Sequence, residues 1–260
     1  MSKIAILAAT HKKYSVLDLE GYYPIQVGAS KAIEDFGYLK DNTGENISNL
    51  NFTYCELTAM YWMWKNYKEG QYWGLCHYRR YLSKNLNKKE KGILREKDIL
   101  KYFEAGKKII VPKYSKKEEC NGWLYHNKRE DEQQQSWVLM RKVFESDYPE
   151  YLSAFDTVLY GDKAIFLNMF ISSKDVFCSY CEWVFPLLEN YLQKYNAIYE
   201  PVPRMAGFIS EYLFNIWLIK HFSENEIQYL DVYNTEIEYN SNLIKRALKK
   251  ILRVVGIKND

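Results

Sequence analysis

The sequence predicts an α/β protein with a doubly wound, mostly parallel sheet and flanking helices. Three observations carry that expectation. Apolar runs alternate with helix-patterned segments in the order strand, helix, strand, helix, strand, as parallel strands joined by helical crossovers do. The first run, "KIAILAA", is apolar almost without a break, the pattern of a strand covered on both faces. And 260 residues, 47% of them apolar and 27% charged, suffice for one substantial core.

The elements follow in order. Residues 3–9 form the first strand, which exits through "THKKY". The polar, turn-rich "LKDNTGENISNLN" is loop. "YCELTAMYWMWKNY" sets Leu57, Met60, Tyr61 and Trp64 at helical spacing, giving a helix with one strongly apolar face. "YWGLCHYRRYL", residues 72–82, is a strand, and "REKDILKYFEAG" a helix with Gly106 at its C-cap. "KKIIVPK" is a short strand ended by Pro112. From Tyr114 to about Tyr160 the chain turns polar and reads as an insertion of loop and helix over the sheet's active edge. "KAIFLNMFIS" is a further strand, followed by a helix from Lys174 to about Tyr195, a second long helix in "RMAGFISEYLFNIWLIKHF" and a last strand in "IQYLDVY".

Residues 1–240 thus make one domain, with the insertion at about 114–160, and residues 241–260 a separate tail. In the tail, Leu243, Ile244, Ala247, Leu248, Ile251, Leu252 and Val255 recur at three- and four-residue spacing opposite Lys245, Arg246, Lys249, Lys250 and Arg253. This is a basic amphipathic helix, which either lies on an anionic membrane surface or packs on the domain with a solvated basic face.

Bulk properties exclude several classes. A net charge of +3 does not demand nucleic acid, and no apolar run reaches the ~20 residues of a membrane span. The amino-terminal apolar segment is too short for a secretory signal, so a cytoplasmic location is expected. The five cysteines are scattered and odd in number, which is no disulfide framework. Cys178 and Cys181 form a C-x-x-C but read as one face of an apolar helix, without the second pair that a zinc site needs. Twenty-four Tyr and seven Trp fit either surfaces that handle sugars or a genome biased toward Tyr.

Four constellations could carry chemistry. Arg79 and Arg80 end a strand that begins in the core; guanidinium forks match phosphate oxygens, so the pair either meets a nucleotide diphosphate or pairs with nearby acids. The loop after the first strand, with Ala9, Thr10, His11 and Tyr14, stands where doubly wound sheets receive nucleotides. No G-x-G-x-x-G or P-loop is present, which removes support for dinucleotide dehydrogenases and P-loop kinases. Glu211, between Ile209 and Leu213 on an apolar helix, would have its carboxyl pKa raised by desolvation and suit proton abstraction, or it pairs with Arg204 or a lysine. His126, with Glu130, Asp131 and Glu132, either contacts an acceptor hydroxyl or a metal, or forms a solvated face.

Together "KIAILAATHKKY", "NISNLNFTYCELTAMYWMWKN", "YWGLCHYRRYL", "NMFIS" with "YCEWVFPLL", and "RMAGFISEYL" resemble the bacterial polysaccharide-biosynthesis proteins of the domain of unknown function 4422 family, regarded as glycosyltransferases of capsule, exopolysaccharide and O-antigen clusters. The likeness runs from about residue 3 to about residue 235. It implies a GT-A-like fold and transfer of a sugar, galactopyranose or galactofuranose, from a UDP-sugar donor to a lipid-linked glycan acceptor at the inner membrane face, which the basic tail would suit. Carried onto this chain, Thr10 and His11 fall at the donor loop, and His77, Tyr78, Arg79 and Arg80 at the strand end. Glu211 falls where inverting enzymes of this fold often keep a base. His126, Asp131 and Arg204 are left for the acceptor or lid.

GT-A enzymes usually end that central strand in a D-x-D that holds a divalent metal; here it reads "HYRRY". Arginine in place of the metal predicts a reaction without a divalent cofactor. Two other readings are open: a non-catalytic nucleotide-sugar or glycan-binding module, and a nucleic-acid binder, against which the scattered basic residues argue.

Overall fold

The apolar run at the start of the chain forms β1 (Ile4–Thr10), and every one of its residues is buried. It is central because it has a partner on each edge: β2 (Tyr22–Gln26) and β4 (Tyr72–His77) both run parallel to it. The computed structural model describes residues 2–117 and 130–237, and within 130–135 the backbone alone. The expected basic tail, 241–260, lies outside those residues.

Among the described residues the main sheet has eight strands. β3 (Leu39–Lys40) extends it beyond β2 in parallel. Beyond β4 the pairing turns antiparallel. β9 (Phe170–Ser173) pairs with β4 through residues 72–75 and passes the sheet on to β6 (Ile109–Pro112), and β10 (Ile227–Asn234) runs parallel to β6. β5 (Arg80–Ser83) bridges the top of β4 to the far half of β10, antiparallel to both. A small separate pair joins β7 (Ser115–Lys116) and β8 (Lys163–Ala164).

The expectation of a mostly parallel sheet is thereby corrected: its parallel pairings β1–β2, β1–β4, β2–β3 and β6–β10 are matched by antiparallel ones of β9 and β5. Two local causes are visible. "YWGLCHYRRYL" is not one strand, because the chain reverses at Tyr78 and Arg79, and a turn that short joins antiparallel strands only. "KAIFLNMFIS" is split between β8 and β9 by an irregular stretch in which Leu167 and Asn168 have φ of 83° and 48°.

Alternation along β1 sends Ala5, Leu7 and Ala9 to one face and Ile4, Ile6 and Ala8 to the other, and each face has its own core. The first face is covered by α2 (Leu57–Asn66), α4 (Glu130–Asp147), α5 (Leu152–Tyr160), α6 (Lys174–Asn196) and α7 (Met205–His221). The second is covered mainly by α3 (Glu96–Glu104) and the segment before it, through Ile93, Leu94 and Ile99. Gly106, at φ 88°, follows the last turn of α3, so the expected helix stop is met by a residue without the Cβ penalty of that conformation.

The single helix expected over residues 54–67 is broken. α1 (Asn51–Tyr54) ends at Cys55, which has φ 50° and ψ −130°, before α2 begins. Residues 136–160 are likewise no polar insertion over the sheet edge. Met140, Val143, Phe144, Phe155 and Val158 are buried in the main core, because helical spacing gathers them on one side although the segment's average composition is polar.

Gly74 stands where β4 and β9 approach closely. A Cβ there would stand 2.8 Å from the Phe170 carbonyl oxygen and 2.9 Å from Ile171 Cγ1. Gly74→Ala should therefore cost about 1–3 kcal/mol through overpacking and lower the melting temperature by roughly 2–4 °C per kcal/mol. An unchanged melt would show that β9 yields.

Candidate active site

A cavity of about 980 Å³ crosses the carboxyl ends of the central strands. Its wall runs from Val27 after β2, past Ala9 near the end of β1 and His11 just after it, to His77 at the end of β4 and Arg80 at the start of β5, and on to Pro112 of β6 and Leu230 of β10. The helical side supplies Cys55, Glu56, Arg204 and Glu211.

The turn that reverses β4 is pinned: the Tyr78 N–H donates to Ala9 O at 3.1 Å, and the Thr235 N–H donates to Arg79 O at 2.9 Å. The Tyr78 ring is buried, with His11 edge-on at 5.8 Å and the Lys12 and Arg79 cations 5.1 and 5.5 Å from its centroid. The two arginines then part. Arg79 forms an ion pair with Glu236 at 2.5 Å, and Lys12 reaches the other oxygen of Glu236 at 3.5 Å. The Arg80 guanidinium lines the cavity and, among the described residues, makes no hydrogen bond or ion pair; burial and the neighbouring Arg79 lower its pKa. His11 is pushed toward its neutral form by burial and then by Lys12, Arg79 and Arg204. The site is thus short of anions on its strand side.

Opposite, α7 is apolar except for a file of polar side chains that satisfies the irregular stretch between β8 and β9. Asn215 accepts from the Ile165 N–H and donates to the Ile165 carbonyl, both at 2.8 Å. Glu211 Oε1 accepts from the Leu167 N–H at 2.7 Å. The Asn168 amide donates to Gly207 O at 2.9 Å and its oxygen accepts from Ser210 Oγ at 3.0 Å. Buried backbone groups need partners, and here α7 provides them in place of a strand. His77 closes the arrangement: its Nε2 lies 2.7 Å from the Leu167 carbonyl, which can only accept, so Nε2 carries the proton.

Glu211 is only 8% exposed, and its Oε2 is buried with no hydrogen-bond partner. Desolvation, and next the charge of Glu56, push its carboxyl up to about 8. The sequence expectation that burial would raise this group is met. Arg204 makes no ion pair with Glu211; it is exposed at the rim, with its guanidinium 4.9 Å from the Phe208 ring centroid.

The remaining expected residues divide. Ala9, His11, His77, Tyr78, Arg79, Arg80, Arg204 and Glu211 all line the cavity. Thr10 is buried and its hydroxyl donates to Lys12 O at 2.5 Å, fixing the loop from behind. Tyr14 stands in the second row, its ring packed on Tyr38 and Tyr78 at 5.7 and 5.3 Å. His126 lies outside the described residues, and Asp131 lies in α4 with its side chain outside them. Sequence reasoning missed Glu56, Leu167 and Asn168. An acid inside the apolar "YCELTAMYW" and an Asn inside "IFLNMF" were the available signals, but their meaning depends on contacts between distant segments.

A divalent ion requires oxygen ligands. The end of β4 itself offers an imidazole, a phenol and guanidinium groups; of the acids that line the cavity, Asp231 is paired with Lys113 at 2.9 Å, Glu56 accepts from the Asn168 amide and Glu211 from the Leu167 N–H. The β4 end thus lacks the pair of acids that a D-x-D would supply. Among the described residues no group of three or more His, Cys, Asp or Glu converges as metal ligands do, and no helix is long and apolar enough to cross a membrane.

The family model described as "Domain of unknown function (DUF4422)" matches residues 5–222. Among solved structures, the apo structure of the bifunctional glycosyltransferase WbbM is similar, with a TM-score of 0.78 and 30% identity, over 90% of this chain and 46% of that one. The chain thus spans about half the length of that protein. Comparison with curated proteins finds no match.

Proposed function

Because the chain belongs to the DUF4422 family, we propose that it is a glycosyltransferase whose donor and acceptor meet in the cavity over β1, β4 and β5. The observation that carries this reading is that an unpaired guanidinium, Arg80, and an unpartnered buried carboxyl oxygen, Glu211 Oε2, border the same cavity. A cation without an anion suits a diphosphate, and a carboxyl with a raised pKa suits a proton in transit.

In the proposed reaction Glu211, as carboxylate, accepts the proton of an acceptor hydroxyl. That oxygen attacks the anomeric carbon, and the bond from this carbon to the diphosphate breaks, its electron pair leaving with UDP. Attack from the face opposite the leaving group inverts the anomeric centre. Arg80, and Arg79 if it releases Glu236, balance the charge that builds on UDP; His77, first expected beside them, has its Nε2 proton on the Leu167 carbonyl. The donor assigned is a UDP-sugar, with galactose in pyranose or furanose form the first to test on the family likeness, and the acceptor a lipid-linked glycan of bacterial surface polysaccharide. The basic tail would hold the enzyme peripherally at the inner membrane face.

Two measurements test the reading. A panel of UDP- and GDP-sugars should raise the melting temperature with concentration for the true donor. Stabilisation without hydrolysis or transfer would instead identify a binding module. Because cationic side chains stand where a metal would, EDTA should leave transfer unchanged. Loss of turnover in EDTA with recovery in manganese would overturn the metal-free mechanism.

A further inference from the structure

Two carboxylates, not one, are tied to the strained link between β8 and β9. Leu167 donates its N–H to Glu211 at 2.7 Å, and the next residue, Asn168, donates its side-chain amide to Glu56 Oε1 at 2.9 Å. Both acids line the cavity. Glu56 Oε1 also lies 3.9 Å from His77 Nε2, the atom whose proton points at Leu167 O. Leu167 and Asn168 hold left-handed backbone conformations, φ 83° and 48°, that favour glycine. Such strain persists where surrounding contacts fix it.

We propose that Glu56 is a positioning residue for Glu211: oriented on the same cavity by the Asn168 amide, its carboxylate keeps the proton on Glu211 and so sets the pH at which Glu211 can act as a base. Two carboxylates in one desolvated space do not both ionise readily, and the better-solvated one keeps the charge. Glu56 has an amide donor and an imidazole beside it, whereas Glu211 has a single backbone N–H and a bare second oxygen. After desolvation, the Glu56 charge is the largest influence raising the Glu211 pKa. Facing it, Arg204 before α7 and Arg80 on β5 act in the opposite direction, as does the Leu167 N–H. Cys55 at the helix break stays a neutral thiol, pushed up to about 12 by burial, and His77 on β4 has its Nε2 proton committed to Leu167.

The inference rests on Glu211 being the base, but its test does not require transfer. Protein isotope-labelled at the glutamate δ-carbon is titrated without substrate, the two signals being assigned by their loss in Glu56→Asp and Glu211→Gln. Glu211 should titrate near the value of about 8 in the native chain, about one unit or more lower in Glu56→Gln, and close to native in Glu56→Asp, which keeps the charge. An unmoved Glu211 titration in Glu56→Gln overturns the proposal. So does a native protein in which Glu56 holds the proton at neutral pH, a result that decides the matter even if Glu56→Gln does not fold. Where transfer is measured, the acidic limb of its pH profile should move with the titration, whereas a merely structural Glu56 would lower the rate at every pH without moving the limb. The expected titration without transfer from any nucleotide sugar would refute the enzymatic reading and leave the coupled carboxylates standing.

Discussion

Glu211→Gln should lower the proposed sugar transfer by about 10²- to 10⁴-fold, the usual contribution of a general base, and leave donor affinity nearly unchanged. Glutamine keeps the size of the side chain and an oxygen that can accept from the Leu167 N–H, so the link between β8 and β9 stays seated. What disappears is the atom that takes the proton. In the native enzyme the rate should climb with pH, about tenfold per unit, up to about 8, where the carboxyl ionises, and then level off. The Gln variant should lack that limb.

The same substitution has a stability signature. An unfolded glutamate loses its proton near 4.5, whereas the folded one keeps it to about 8. Between those values the folded state holds the extra proton, so native stability falls as pH rises through the window and is constant above it. Glu211→Gln removes that slope. Relative to the native chain it should gain stability from about pH 5 to pH 8, up to an amount on the order of a few kcal/mol. Equal pH dependence of melting in both proteins would show that Glu211 is ionised throughout that window, and the expected rise of rate toward pH 8 would then have no source in this carboxyl.

If the donor is a UDP-sugar, as proposed, Arg80→Met should weaken UDP binding by roughly 10- to 100-fold, the equivalent of one charge-assisted hydrogen bond of about 1.5–3 kcal/mol. Because Arg80 is half-buried without an anion, the ligand-free variant should melt no lower than the native chain, as replacing an uncompensated cation by an apolar side chain relieves desolvation. Arg79→Met should do much less. Arg79 is partly exposed and already holds Glu236, and a diphosphate would have to displace that carboxylate. Calorimetric titration with UDP separates the two. Equal losses would mean that the diphosphate spans both guanidinium groups, and no loss at Arg80 would remove the proposed donor site.

The contrast between these arginines marks how far sequence reasoning reached. Adjacent guanidinium groups after a buried strand announced a demand for negative charge, and an internal acid, Glu236, meets it at Arg79 but not at Arg80. Which one an internal acid satisfies was settled by Glu236, more than 150 residues later in the chain. The helices at 174–196 and 205–221 were legible because their apolar residues recur with helical period over long spans. The helix break at Cys55 and the reversal at Tyr78 were not, since neither carries the Gly or Pro that usually signals such a turn. Residues 136–160 were misjudged because their core residues are few per turn and dilute in a polar stretch.

The long helices, the burial of β1, the position of Glu211 on an apolar helix and the cationic end of β4 were written in the sequence, because periodicity and residue chemistry are local properties; β2 and β3, short and mostly half-exposed, were not. The antiparallel half of the sheet, the freedom of Arg80 beside an occupied Arg79, and the tie of Glu56 and Glu211 to Leu167 and Asn168 were decided by tertiary structure alone. Hydrogen bonds and charges act through space, and distance between segments far apart in the chain is a quantity that only folding supplies.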